Sequence, residues 1–137
     1  AVDAVMVIGD NALTQPWQER YVHCFDLGGI WYEMTGLPFV FAVWVVREAF
    51  AKRHPDQVKE VLALLHASKK QGYAHLDEVI QSGTQKLNLD HCLIKRYYDL
   101  LICDLDPLKI KAMEIFFESL YEQKILDAPA KIRFFNP

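Results

Sequence analysis

Residues 26 to 44 read DLGGIWYEMTGLPFVFAVW, and this stretch constrains the fold more than any other part of the chain. Asp26 is placed to cap orphan backbone N–H groups, while Ile30, Trp31 and Met34 share one face of a short amphipathic helix that Gly36 stops. Leu37 and Pro38 then force an extended turn, because proline drives its predecessor out of the helical region. From Phe39 to Val46 the residues are almost all apolar and rich in Val and Phe, the pattern of a strand buried on both faces. An interior parallel strand entered through a rigid Thr-Gly-Leu-Pro corner is expected to border a ligand cleft.

The flanking sequence extends this pattern. Ala4 to Ile8 reads as a buried strand, Gly9-Asp10-Asn11 as a turn opening a short helix through Ala12 and Leu13, and Arg20 to Phe25 as a second strand with Tyr21, His23 and Phe25 on one face. Strand, helix, strand, helix, strand is the alternation of layered α/β architecture. After Arg47 the character turns helical. Residues 47 to 53 form a short helix, Pro55 and Asp56 restart the chain, and an apolar stripe from Val58 to Ile80 runs to Ser82, with Gly72 as its interruption and Gly83 as its end. Leu89 to Tyr97 is a further helix with Asp90 near its start, Leu100 to Leu105 fits helix or extended structure, and Asp106-Pro107 opens a helix to about Gln123. The tail from Pro129 is expected to be extended and docked through Ile132 and Phe134. Residues 1–137 thus read as one α/β unit, with the alternation and a crossover in 1–46 and a mainly helical remainder in 47–137. Its strands want sheet partners that this sequence does not contain, so the fold is expected to extend beyond Ala1.

Composition narrows the function classes. With 137 residues, 52% of them hydrophobic, the chain suits one ordinary domain. The longest apolar run, Leu37 to Val46, is about half of what crossing a bilayer requires, and AVDAVMVIGD has no basic head or long apolar core of a targeting segment. Fifteen basic and 18 acidic residues, intermixed to a net charge of −3, leave no basic stripe for nucleic acid or a membrane surface. An anion site would therefore have to be built locally. Cys24, Cys92 and Cys103, odd in number and without CxxC spacing, read as reduced core thiols of a cytoplasmic protein.

No GxGxxG, P-loop, HExxH, paired CxxC or GxSxG occurs, so nucleotide, zinc and serine-hydrolase chemistry lose their usual support. His66 and His75 lie nearly on one helical face, but two imidazoles are short of a zinc ligand set, and no metal is expected. Gly9, Asp10 and Asn11 are the first candidate ligand contacts, since the end of a parallel strand at a helix N-terminus offers free N–H groups to a cleft. The competing reading has Asp10 capping the helix and Gly9 making the turn. Thr35, Gly36, Leu37 and Pro38 are the second candidate, through a hydroxyl, close backbone approach and a rigid corner; ordinary turn chemistry is the competing reading. Both stretches are expected at one cleft. Trp31 and Tyr32 suit an aromatic-lined pocket, Trp44 suits the core, and His23 reads as packed against its strand neighbours.

Taken with VMVIGDNAL upstream, DLGGIWYEMTGLPFVFAVW resembles the chorismate dehydratases of the futalosine route to menaquinone, where a GD-x-AL turn and a DLG, W, TGLPFVFA block recur in this order. More loosely, LIKRYYDLLICDLDPLKIKAMEIFFESLYEQKIL looks like that family's closing helices. The resemblance spans most of this chain and about the C-terminal half of a family member. It implies a two-lobed fold like the type II periplasmic binding proteins, with the ligand between the lobes and the N-terminal half of the same protein as partner. It also implies a hydro-lyase acting on chorismate as small-molecule substrate with no cofactor, and it favours Gly9 and Asp10 as site-lining; the substrate-binding candidates are then Gly9, Asp10, Asn11, Thr35, Gly36, Leu37 and Pro38, and no residue is assigned as general acid or base. A non-catalytic solute-binding protein of the same fold is the alternative. A third reading makes residues 47 to 126 a helical interaction module.

Overall fold

The structure is a computed structural model that describes residues 2–136. Its regular elements, among the described residues, are all helices: α1 (Asp10–Thr14), α2 (Trp17–Arg20), α3 (Leu27–Thr35), α4 (Glu48–Arg53), α5 (Pro55–Ala74), α6 (Leu76–Leu87), α7 (His91–Leu100) and α8 (Pro107–Glu122). No strand or sheet occurs among them. The expected α/β architecture, and with it the bilobal periplasmic-binding-protein-like fold shared by the main reading and its solute-binding alternative, is therefore corrected to an all-helical arrangement. The physical reason lies in the backbone. A strand exists only where its N–H and C=O groups meet those of a second strand, and the apolar runs at 4–8, 20–25 and 39–46 find no such ladder here.

Burial reports the same correction. Val22 is 94% exposed, Val45 87% and Phe41 80%, where strands inside a sheet would be covered. Val5 and Val43 are also exposed, so an aspartate at either position buries no charge and the severe destabilisation expected of a core strand loses its basis. Trp44 lies exposed rather than in the core, and the cysteines sit exposed without a disulfide between them.

The helices themselves follow local chemistry closely. Asp26 caps α3 by accepting from the Gly28 N–H at 3.0 Å, and Gly36 ends it in the left-handed region at φ 68°, its N–H donating to the Tyr32 carbonyl. Asp90 caps α7 by accepting from both Cys92 and Leu93 N–H groups, and Asp106 caps α8 by accepting from Lys109 N–H ahead of Pro107 at the first helical position. Such caps contribute about 1 kcal/mol each. Two breaks fall elsewhere than the glycines imply. Gly72 lies inside α5, which ends at Ala74, and Gly83 lies inside α6, which continues to Leu87 and closes at Asn88 with φ 52°.

Two compact units result. One comprises residues 1–25 and 70–103 and centres on α6 packed against α7, with Ile80 and Ile94 each 2% exposed. Gly83 is what lets these helices close up, since a Cβ there would stand 3.3 Å from Ile94 Cγ2. The second comprises residues 26–69 and 104–137 and buries Leu37 and Ala112. In the same unit Trp31, Phe39 and Phe116 meet edge to face, with centroids 5.2 to 5.7 Å apart, and Phe41 adds a further edge contact to Phe39. Each such pair contributes about 0.5–1.5 kcal/mol beyond its buried area. The tail lacks regular structure and is tied by Arg133 to Glu48 at 2.9 Å, while Phe134 stays exposed.

Candidate functional site

In the first unit, Gly9 precedes α1 with φ 64° and ψ −148°, a conformation that essentially only glycine adopts. Its carbonyl accepts from the Ala12 N–H at 2.9 Å, so the bend that starts α1 is a property of Gly9. Asp10 is the first residue of the helix, not its cap: no side-chain capping hydrogen bond forms, and the carboxylate is exposed. The capping reading of Asp10 is thereby corrected. Asn11 carries a structural contact through its backbone, whose carbonyl accepts from Trp17 Nε1 at 2.8 Å. That bond ties α1 to α2.

Between these helices and the segment 5–8 lies a groove of about 480 Å3 lined by Val5, Met6, Val7, Ile8, Asn11, Gln15, Trp17 and Arg20. The Arg20 guanidinium carbon sits 5.8 Å from the centre of the Trp17 ring, inside cation–π range. Sequence reasoning reached Asn11 but missed Gln15, Trp17 and Arg20. The signal was available in the i, i+3 spacing of Trp17 and Arg20, which puts an aromatic and a cation on one helical face.

The second candidate stretch belongs to the second unit. Thr35 Oγ1 donates to the Trp31 carbonyl at 2.7 Å and accepts from the Leu37 N–H at 3.2 Å. Its proton is spent on the helix end, so toward a ligand this hydroxyl has only a remaining acceptor position to offer. Gly36 is exposed and left-handed, Leu37 is 7% exposed and anchors the corner, and Pro38 is half-buried. Trp31 is packed among Phe39 and Phe116, with its indole N–H buried and without a hydrogen-bond partner, while Tyr32 is exposed. His23 meets Phe25 with ring centroids 6.3 Å apart, but it is exposed and in no strand, so the reading of a histidine packed within a strand is corrected. Among the described residues no three His, Cys, Asp or Glu side chains converge as cation ligands. None of the described helices is long and apolar enough to cross a membrane.

Charge is organised in short pairs. Asp104 pairs with Lys69, and Asp106 with Lys109; both carboxyls are held below the usual carboxylate range, chiefly by the hydrogen bond from the lysine. Glu48 is lowered by its hydrogen bond to Lys52 and then by the charge of Arg133. All three groups are solvent-exposed ion pairs of the scaffold, so they mark stability rather than catalysis.

Comparison with known proteins gives the wider setting. Chorismate dehydratase of Thermus thermophilus is 29% identical over 112 residues, a match covering 71% of this chain and 40% of that protein. The chain thus spans well under two thirds of the length of this curated relative. The family described as menaquinone biosynthesis matches residues 1–122, which include the GDNAL turn and the whole DLGGIWYEMTGLPFVFAVW block. With almost the whole chain inside that match, the resemblance drawn from the sequence holds, and the chain belongs to the menaquinone biosynthesis family.

Proposed function

We propose that this chain is the C-terminal part of a chorismate dehydratase, which removes water from chorismate to give 3-[(1-carboxyvinyl)oxy]benzoate for menaquinone synthesis. The observation that carries the reading is the family match over residues 1–122 together with a relative named chorismate dehydratase. A ring C–H proton leaves, the ring hydroxyl departs as water, and the ring becomes aromatic. That gain in aromatic stabilisation drives the step, so orientation and one positioned acid or base suffice for a large rate. Within this chain the proposed substrate contacts are two stretches, each taken by itself: Gly9, Asp10 and Asn11, and Thr35, Gly36, Leu37 and Pro38. We assign them these roles. Gly9 sets the backbone bend, Asp10 presents an exposed carboxylate suited to accept from the ring hydroxyl, and Thr35 contributes an acceptor while Leu37 and Pro38 hold the corner in shape.

The relative is longer than the matched region, and we assign the remaining substrate contacts and the exclusion of water to the N-terminal half of the same protein. The 137-residue chain alone is then expected to leave chorismate unchanged, because orienting groups from a single part cannot assemble the reacting geometry, a loss worth several powers of ten in rate. The test follows chorismate disappearance and product mass for the isolated chain and for the full-length protein. Turnover by full-length protein with none by the isolated chain is the expected result. Equal turnover by the isolated chain overturns the division of the site, and full-length protein that makes no benzoate ether overturns the reaction.

A further inference from the structure

The groove of the first unit joins apolar and polar residues. Its apolar lining is Val5, Met6, Val7 and Ile8, and Asn11, Gln15, Trp17 and Arg20 complete it, with the Arg20 guanidinium carbon 5.8 Å from the centre of the Trp17 ring. At about 480 Å3 it falls within the roughly 300–1,000 Å3 of small-molecule sites, and an apolar lining with a few convergent polar groups is the usual make-up of such sites. Among the described residues no carboxylate pairs with the Arg20 guanidinium, and the Asn11 and Gln15 side-chain amides make no hydrogen bond. The cation–π contact with Trp17 uses none of the guanidinium's N–H donors, the groups that grip a carboxylate in a two-pronged fashion. The Trp17 ring is itself held, by Nε1 donating to the Asn11 carbonyl, so the cation stands on a fixed platform.

We infer that this groove is a carboxylate subsite for a small ring acid, in which Arg20 binds the carboxylate, the Asn11 and Gln15 amides complete its hydrogen bonds, and Val5 to Ile8 cover the ring. The identification of that acid with chorismate rests on the proposed function; the subsite itself rests on the groove. Charge complementarity favours this occupant: a net acidic chain must supply its anion contacts from a few placed cations, and here one is set beside an apolar wall.

The experiment compares full-length wild-type protein with Arg20→Gln, Arg20→Lys and Gln15→Ala. Arg20 is exposed and its hydrogen-bonding edge unused, so its replacement leaves the fold intact, which circular dichroism checks. Losing a charge-assisted hydrogen bond is worth about 1.5–3 kcal/mol, so Arg20→Gln is expected to raise the KM for chorismate about 10- to 100-fold with kcat changed far less. Arg20→Lys, keeping the charge without the fork, is expected to fall between, and Gln15→Ala to weaken binding severalfold. Titration with benzoate and with inorganic phosphate separates the subsite from the reaction. If wild-type protein binds benzoate, Arg20→Gln loses it, and chorismate is not turned over, the dehydratase reading fails and the subsite stands. Unchanged KM and benzoate affinity in Arg20→Gln overturn the subsite, as does a wild-type protein that binds neither acid. Phosphate bound as tightly as the ring acids would also overturn it, because the apolar wall would then contribute nothing.

Discussion

Two glycines inside helices invite the same substitution and should answer it in opposite directions. Gly72 in α5 has open space where a Cβ would go, whereas a Cβ on Gly83 in α6 would stand 3.3 Å from Ile94 Cγ2, and Ile94 is 2% exposed with nowhere to retreat. Both positions gain on replacing Gly by Ala, by about 0.5–1 kcal/mol from reduced backbone entropy. At Gly72, near the end of its helix, that gain is uncompensated and the chain should become more stable by up to this amount. At Gly83 the extra methyl is forced into a packed contact, a class of change that costs typically about 1–3 kcal/mol, so the net effect should be zero to about 2 kcal/mol of destabilisation. Ile94→Ala removes the clashing methyl at its own cost of about 2–5 kcal/mol. In that background Gly83→Ala should stabilise, giving a coupling of about 1–3 kcal/mol between the two positions. Urea unfolding followed by far-ultraviolet circular dichroism measures all four variants, with midpoint shifts read at constant slope; a slope of about 1–3 kcal/mol/M makes each predicted change visible. Strict additivity of Gly83→Ala and Ile94→Ala, or a gain at Gly83 equal to that at Gly72, would refute the close approach of α6 and α7.

Gly36 ends α3 with φ 68°, so Gly36→Ala should cost about 1–2 kcal/mol in thermal or urea unfolding even though a Cβ there meets open space. An unchanged midpoint would remove the left-handed cap. Acid should weaken the scaffold through Asp104, Asp106 and Glu48, whose folded-state carboxyls lie below their ordinary values of 3.8, 3.8 and 4.5. Because the folded state holds these protons less readily, their contribution is whole above about pH 4.5 and is lost as pH falls below 3.8 through the lowered values. Melting curves taken from neutral to strongly acidic pH should show that decline, and Asp104→Asn should flatten part of it; a variant with the same acid profile as wild type removes Asp104 from the account.

What the sequence made readable were the features that local chemistry decides alone. Asp26 and Asp106 each sit one residue before an apolar-periodic run and each caps the helix so announced, whereas Asp90, expected just inside a helix from Leu89, is the cap of a helix that starts at His91. Pro55 and Pro107 open α5 and α8. Glycine proved a weaker signal, because its meaning depends on what lies opposite. At Gly36 it supplies a left-handed bend, at Gly83 it admits the Ile94 side chain, and at Gly72 it does neither. No pattern along one segment distinguishes these, since the deciding atom at Gly83 belongs to another helix.

The apolar runs failed as strand signals for a related reason. A stretch such as FVFAVWVV records that its side chains avoid water, but strand identity needs backbone partners, which no one-dimensional pattern contains. Where partners are lacking, the side chains settle case by case. Phe39 packs against Trp31 and Phe116, Phe41 reaches back so that its ring tip would stand 3.1 Å from a Cβ on Gly28, and Val45 stays exposed. The site followed the same division. Motif order pointed to Gly9–Asn11 and Thr35–Pro38, yet what each can do chemically was settled by hydrogen bonds the motif does not encode. Thr35 spends its proton on Trp31, Asp10 caps nothing, and the cation inferred to hold an anion is Arg20, beyond the turn that drew notice. Trp17 holds the Arg20 guanidinium over its ring, so replacing Trp17 by Leu should weaken benzoate binding even with Arg20 present. Binding that survives Trp17→Leu undiminished would mean that the platform is incidental and the charge acts alone.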